Sequence, residues 1–335
     1  MHYLSEEKLV VVGAAGAIGS NICQQALTER LTPRITLYDI NEGGLRGTAR
    51  ELCHCAFPNA RITRTLHINE ALDGADYIIT SGGAPRRAGM NREDLLTDNA
   101  RIAANLGTNI RQYCPKVKFV VVVFNPSDIS GLTLLVQSGL KPQQVSSLAA
   151  LDSTRLQYSL ARHFRVPQEC VTGCRVYGEH GDTMAVFHSG VCIAGKPLSS
   201  LIGTNALTAD TWKKIQDDVR TAGKQIIEFR GRSSFQSPAH HAVQMLRAFI
   251  TGESFDWPSG SYLHAPEAGF DHLFMTNDNT INARGVSSKV PTGTAGEMAD
   301  LQASAQQLTG LRDLAIAAGH LPPLADWSKV NRHLA

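Results

Sequence analysis

Lys8-Leu9-Val10-Val11-Val12-Gly13-Ala14-Ala15-Gly16-Ala17-Ile18-Gly19 decides how the first half of this chain folds. The first five residues, mostly apolar, read as a short buried strand. The next seven read as a tight turn of the form G-x-x-G-x-x-G that runs into a helix reaching about Arg30. Glycines at those positions permit a sharp turn. They also allow a pyrophosphate to approach the helix N-terminus, where free N–H groups and the helix dipole favour an anion. A glycine pattern alone describes any turn. With a strand before it and a helix after it, the pattern is a dinucleotide-binding fingerprint. Gly13, Gly16, Ala17, Ile18 and Gly19 are therefore the first candidate cofactor-binding residues.

The next strand, Arg34 to Tyr38, ends at Asp39, about twenty residues past the last glycine. A carboxylate there accepts hydrogen bonds from a ribose 2′-hydroxyl and repels a 2′-phosphate. Ile40 and Asn41 follow, so no arginine stands ready to receive a phosphate. The expected cofactor is NAD rather than NADP. Further strands are expected near Arg61–Thr63, Tyr77–Thr80, Lys118–Val123 and Val145–Ala149. Helices are expected over Gly43–Cys53, about Arg92–Tyr113 with Asn91 as its N-cap, and Asp128–Ser138. Alternating strands and helices imply a parallel, doubly wound α/β sheet covered on both faces. Ligands bind at the carboxyl ends of such strands. This brings in Gly82 and Gly83 of Ser81-Gly82-Gly83-Ala84-Pro85 as cofactor contacts. It also brings in Asn125 of Asn125-Pro126, whose amide suits either the nicotinamide end or a substrate hydroxyl.

The character changes near residue 150, so the expected division is a nucleotide-binding domain over 1–150 and an α+β catalytic domain over 151–335. The second part reads as a helix to Phe164 and strands at Val171–Tyr177, Ala185–His188 and Val191–Ala194. Helices at Ala209–Arg230 and Pro238–Ile250 follow, then antiparallel strands within Phe255–Arg284 and a loop over Arg284–Pro291. Thr294-Ala295-Gly296-Glu297 fits a capping box opening a last helix to about Ala318, and a tail begins at Pro322. No low-complexity linker separates the parts.

The 335 residues suffice for two domains or one large α/β unit. Hydrophobic residues at 43% and charged residues at 19% are ordinary for an enzyme, and a net charge of +2 argues against a nucleic-acid or membrane-surface binder. No apolar run has the length of a membrane span. Met1 to Glu7 lacks the basic-then-apolar order of a signal peptide, and its acidic pair disfavours a transit peptide. The seven cysteines fit reduced thiols in the cytoplasm. Their closest groupings, Cys53/Cys55 and Cys170/Cys174, lack zinc-motif spacing, so no metal is expected.

Two segments supply reactive chemistry. Leu151-Asp152-Ser153-Thr154-Arg155 places a carboxylate and a guanidinium on one helix face. Gly178-Glu179-His180-Gly181-Asp182 sets a histidine between glycines that let backbone approach a ligand. A third segment, Pro85-Arg86-Arg87-Ala88-Gly89-Met90-Asn91-Arg92, puts three arginines after a strand end at the binding edge. Arginine pairs carboxylates in a planar two-pronged fashion, so this run reads as a substrate-binding lid rather than a solvated face.

These motifs, in this order and roughly this spacing, resemble the lactate/malate dehydrogenase family over about Lys8 to Ile250. The resemblance implies a Rossmann domain followed by an α+β catalytic domain, with NAD as cofactor and a small 2-hydroxy acid as substrate. His180 would be the general acid–base and Asp152 would fix its tautomer and stabilise the imidazolium. Arg155 would hold the substrate's C1 carboxylate. Arg92 would polarise the carbonyl, and Asn125 would bond the same oxygen or the cofactor. Arg86, preferred to Arg87 on its spacing to Arg92, would read the far end of the substrate. A second carboxylate there would neutralise Arg86, whereas pyruvate would leave its charge unpaired in a closed site. Malate and oxaloacetate are therefore expected over lactate and pyruvate. Ser147 and Asn99 align with positions near the cofactor, and Ser233 and Ser234 with a small polar stretch lining the substrate pocket. The family also implies a homo-oligomer, dimer or tetramer. A different lactate or 2-hydroxyacid specificity is one alternative. A non-catalytic dinucleotide sensor is another, which the Asp152–Arg155–His180 set argues against.

Overall fold

The computed structural model describes residues 2–84 and 92–334, with only the backbone over 92–94. In its first half, strands β1 (Lys8–Val12), β2 (Arg34–Tyr38), β3 (Arg61–Thr65), β4 (Tyr77–Thr80), β5 (Phe119–Val122) and β6 (Val145–Ser147) pair in parallel. Their spatial order is β6-β5-β4-β1-β2-β3. The order reverses between β1 and β4, so a crevice opens at their carboxyl ends, where a doubly wound sheet takes its ligand.

Side chains alternate across each strand, and this splits the core in two. Val10, Ile78, Val120 and Val122 face a layer that includes α4 (Arg92–Tyr113) and α5 (Ser127–Ser138). Leu9, Val11, Ile79 and Val121 face α1 (Ala17–Thr28) and α2 (Glu42–His54). Asn41 caps α2 by accepting from the Gly44 N–H at 3.0 Å. A short helix that the sequence did not announce, α3 (Ile68–Leu72), precedes β4.

The second half does not stand apart. Helix α6 (Ala150–Phe164) starts three residues past β6, which is why the expected strand over Val145–Ala149 stops at Ser147. Small strands β7 (Val171–Thr172), β8 (Arg175–Tyr177), β9 (Ala185–Phe187), β10 (Cys192–Ile193) and β11 (Lys196–Pro197) follow, then helices α7 (Ala209–Arg230) and α8 (Gln236–Thr251). Phe249 of α8 stacks on Phe119 with centroids 4.7 Å apart, so α8 helps to cover the first half's sheet. Strands β12 (Ser259–Ala265), β13 (Phe270–Asn282) and β14 (Gly285–Lys289) form an antiparallel ribbon. This ribbon joins β6 through Gly260 and Ser147 and completes one nine-stranded sheet. A Cβ on Gly260 would lie 1.8 Å from Ser147 Oγ, so only glycine admits the strand so closely. The sheet thus runs unbroken across the expected boundary at residue 150. The segment Arg284–Pro291, expected as a loop, holds β14. Its residues lack apolar alternation because an edge strand is specified by pairing with its neighbour rather than by burial.

Helix α9 (Ala295–Ala317) opens with the capping box foreseen from Thr294 and Glu297. The Glu297 carboxylate also accepts from the His188 and Ser189 N–H groups at 2.6 and 2.9 Å. Burial opposes its ionisation, but the three backbone donors prevail and hold it at about 2. The tail ends in a short helix, α10 (Trp327–Val330), whose Trp327 is buried. No helix among the described residues is long and apolar enough to cross a membrane.

Candidate active site

The crevice at the carboxyl ends of β1 and β4 is shaped by absent side chains. Gly13 takes φ 83°, and a Cβ there would come within 2.6 Å of Gly82 backbone. A Cβ on Gly19 would lie 2.2 Å from the Gly13 carbonyl oxygen, and one on Gly83 would lie 2.7 Å from Phe124. Gly16 differs: its nearest neighbour to a Cβ would be the Gly13 oxygen at 3.4 Å. Gly16 is also the N-cap of α1 and offers no side chain to the helix's first N–H groups. Those donors are left for an anion. Asp39 Oδ2 accepts from the Ala15 N–H at 2.9 Å, and Oδ1 accepts from the Asn41 N–H at 3.0 Å. The carboxylate therefore pins the glycine turn while lining the crevice with Gly13, Gly16, Gly82 and Gly83. Ile40, fully outward beside Asp39, and Ile68 of α3 line it too. The sequence reading used Ile40 only as a non-arginine and missed Ile68 with its helix.

Ser81 and Gly83 also border a second cleft, which holds the reactive side chains. Asp152 lies in the first turn of α6, buried, with Arg155 one turn on. His180 sits in the loop after β8. That loop is held from two sides: Gly178 exchanges backbone hydrogen bonds with Thr276 at 2.9 Å, and the Glu179 N–H donates to Ser304 Oγ of α9 at 2.7 Å. His180 Nδ1 and Asp152 Oδ2 are 2.5 Å apart, and Arg155 donates to Asp152 Oδ1 at 2.9 Å. One carboxylate thus orients both the imidazole and the guanidinium. Burial alone would depress the His180 pKa, but the Asp152 charge and hydrogen bond, together with Asp128, raise it above the ordinary value.

Asp128 escaped the sequence reading except as the start of a helix. It is fully buried at the N-terminus of α5, and its Oδ2 accepts the His180 backbone N–H at 2.8 Å. Burial pushes its carboxyl up to about 7, against the opposing pull of His180. The available signal was an acid two residues past Asn125-Pro126 at a strand end. His241 was also missed. It is buried near Thr154 and held down at about 4, first by burial and then by His240.

The arrangement can bind a carboxylate at Arg155 and exchange a proton at the free side of His180, beside a dinucleotide crevice. Two family models match this chain: the lactate/malate dehydrogenase NAD binding domain over residues 7–147, and the lactate/malate dehydrogenase alpha/beta C-terminal domain over 149–316. The chain belongs to the lactate/malate dehydrogenase family. Solved structures similar to it carry both activities. Malate dehydrogenase from Cryptosporidium parvum is 28% identical, with 92% of this chain and 98% of that one covered and a TM-score of 0.84. Lactate dehydrogenase from the same organism, complexed with lactic acid and nicotinamide adenine dinucleotide, is 27% identical, with 95% and 99% covered and a TM-score of 0.85. Malate dehydrogenase from Plasmodium falciparum is 26% identical, with 93% and 99% covered and a TM-score of 0.86.

This dehydrogenase is an NAD-dependent oxidoreductase acting on a CH–OH group, and the glycine cradle and Asp39 fit that cofactor. Of the remaining residues singled out from the sequence, Asn125, Ser233, Ser234 and Ile18 line the reactive cleft with His180 and Arg155. Ala17 is the first residue of α1. Two further assigned residues are buried. Asn99 is buried, and its side chain is spent on the Ala84 N–H at 2.6 Å, the Ala84 carbonyl at 3.2 Å and the Asn125 carbonyl at 2.7 Å. It braces the two loops that wall the cleft. Ser147 is likewise fully buried, facing Gly260 across the sheet. Its hydroxyl is enclosed by the ribbon that the sequence did not place there. Arg86 and Arg87 lie outside the described residues, as does the Arg92 side chain. The opposite wall comes from α7, a helix expected from the sequence but not as part of the site: Arg220, Lys224 and Ile227 line the cleft, and Lys224 pairs with Asp182 at 3.3 Å.

Proposed function

We propose that this dehydrogenase interconverts (S)-malate and oxaloacetate. The substrate's C1 carboxylate pairs with the part of the Arg155 guanidinium not engaged by Asp152. His180 takes the hydroxyl proton on the free side of its ring, and Asp152 stabilises the imidazolium that forms. In the reverse direction His180 returns that proton, and a raised pKa keeps it available for carbonyl reduction. Bound NAD supplies the hydride acceptor. Asn125 and Arg92 meet the oxygen where charge develops, and Arg86 pairs with the second carboxylate.

The observation that carries the dicarboxylate reading is the Arg86-Arg87 pair in the segment joining Ala84 to α4. Ala84 and Leu95, on either side of that segment, both line the cleft that holds His180. An unpaired arginine in a closed site costs several kcal/mol, by order of magnitude about 3–5, so a monocarboxylate is disfavoured. The seven free cysteines suit a reducing compartment, in keeping with a cytoplasmic enzyme, and we expect a homo-oligomer.

The test is loss of NADH absorbance with oxaloacetate and pyruvate side by side, for the wild type and Arg86→Gln. Oxaloacetate should be preferred by the wild type, and the variant should move towards pyruvate. Pyruvate preferred by the wild type would make the enzyme a lactate dehydrogenase with the same proton relay.

A further inference from the structure

The hairpin joining β12 to β13 carries a side-chain cluster that the dehydrogenase reaction does not use. Pairing runs from Leu263 with Leu273 to Ala265 with Phe270, so His264 faces two residues, Asp271 and His272. Such a β-bulge re-aims the side chains it carries. His272 takes a left-handed backbone, φ 51°, which a non-glycine residue adopts only under strain. The bulge sets His264 Nδ1 3.1 Å from Asp271 Oδ1 and His272 Nε2 3.9 Å from the same oxygen. The two imidazoles stack with centroids 3.9 Å apart. One ligand atom from each of the three residues lies within 4.8 Å of the others, the one such group of three among the described residues.

We propose that His264, Asp271 and His272 bind a late first-row divalent metal ion, with zinc as the representative. Two imidazoles and a carboxylate form a donor set suited to such ions. Metal–ligand bonds of about 2.0–2.1 Å put tetrahedral donors about 3.3–3.4 Å apart, so small side-chain rotations close the gaps. His264 and Asp271 are exposed, which leaves a fourth position to water. Behind the cluster, the half-buried Tyr262 hydroxyl is hydrogen-bonded to His272 Nδ1. When Nδ1–H donates to that hydroxyl, Nε2 presents its lone pair towards Asp271, the outer support that metal-binding histidines use. The edge of Trp327, with centroids 5.6 Å apart, holds the ring from the other side. Arg312 of α9 reaches the same hairpin. Its guanidinium donates to the Asp271 carbonyl at 2.7 Å and is matched by Asp313 at 3.0 Å. A search by cysteine spacing passes over this site because the bulge, not the sequence interval, brings the ligands together.

None of these residues lines the catalytic cleft, so the test does not depend on the substrate assignment. Tag-free, metal-stripped protein is titrated calorimetrically with zinc chloride, and Cu²⁺ is added to a parallel sample for electron paramagnetic resonance. The expected result is one zinc per chain and a copper spectrum showing two nitrogen ligands. His264→Ala should weaken zinc at least ~10-fold and remove a nitrogen, and Tyr262→Phe should weaken it by about 10-fold or less. His67→Ala, at an exposed histidine elsewhere, should bind as the wild type does. NADH turnover in His264→Ala should match the wild type and so verify folding. Absence of stoichiometric zinc binding, or equal binding by His264→Ala, would overturn the proposal.

Discussion

The two sides of the cleft are built from different materials. The cofactor side is mostly backbone: Gly13, Gly19 and Gly83 are needed because a Cβ would meet neighbouring chain, and Asp39 fastens the turn they form. The substrate side is a partly buried set of charges, with buried Asp128 and Asp152 and half-buried Arg155 gathered around His180. A backbone cradle works by shape, so a change at one position acts locally. A buried charge cluster works by mutual polarisation, so a change at one member shifts the rest.

The largest expected effect is His180→Asn. If His180 is the proton shuttle proposed above, its removal should lower kcat by ~10²–10⁴-fold and leave the NADH dissociation constant unchanged, measured by fluorescence titration. A parallel loss of NADH affinity would break the contrast, because the two sides would then be energetically one site.

Asp128→Asn comes next and tests the coupling. A carboxyl raised from its ordinary 3.8 to about 7 binds its proton more tightly in the folded chain than in the unfolded one. Its stabilising contribution is complete below pH ~4 and is lost as pH rises through about 7. The raised pKa of His180 acts in the same direction, since its contribution is also lost as pH rises through the folded value. These two groups therefore contribute a loss of stability as pH rises from about 4 through about 7, which the lowered pKa of His241 opposes below pH ~6.5. Asp128→Asn should remove part of that loss, on the order of 2–4 kcal/mol at about pH 8, in urea unfolding. In the oxidation direction, where His180 accepts a proton, the acid limb of the pH–rate profile should move down, because His180 loses a carboxylate that raised its pKa. Unchanged unfolding curves and profile would mean that Asp128 titrates alike in the folded and unfolded chain and is ionised throughout this range.

The smallest effects belong to the cofactor side and separate two kinds of glycine. Gly19→Ala forces a Cβ against the Gly13 carbonyl and should cost about 1–3 kcal/mol of stability. Gly16→Ala meets no protein atom closer than 3.4 Å, so the melting temperature should hold. NADH affinity should still fall by about tenfold, the worth of one charge-assisted hydrogen bond at the helix N-terminus. If Gly16→Ala instead destabilised the protein with normal NADH binding, the cradle would be structural there.

The strand–glycine–helix unit at Lys8–Thr28 was legible because every determinant is contiguous: an apolar strand, a turn that only glycine admits, and a helix start. Asp39 was legible for the same reason, as a strand end at a set distance. The ribbon β12–β14 was legible only in outline. Nothing in Gly285-Val286-Ser287-Ser288-Lys289 announces an edge strand, and nothing near Gly260 tells that it pairs with Ser147. That pairing enclosed Ser147, and the side chain of Asn99 is taken up between Ala84 and Asn125.

Asp152, Arg155 and His180 were named from the sequence by residue type and by resemblance. Their meeting at one carboxylate, with Asp128 beneath, depended on how α5, α6 and the β8 loop pack. Sequence by itself determined the glycine turn at the head of α1 and named the candidate reactive groups, since backbone sterics and side-chain chemistry are properties of short segments. Tertiary structure alone decided the electrostatics. The proton affinities of His180 and Asp128 depend on burial and on charges distant along the chain, and both exist only once the halves have joined in one sheet.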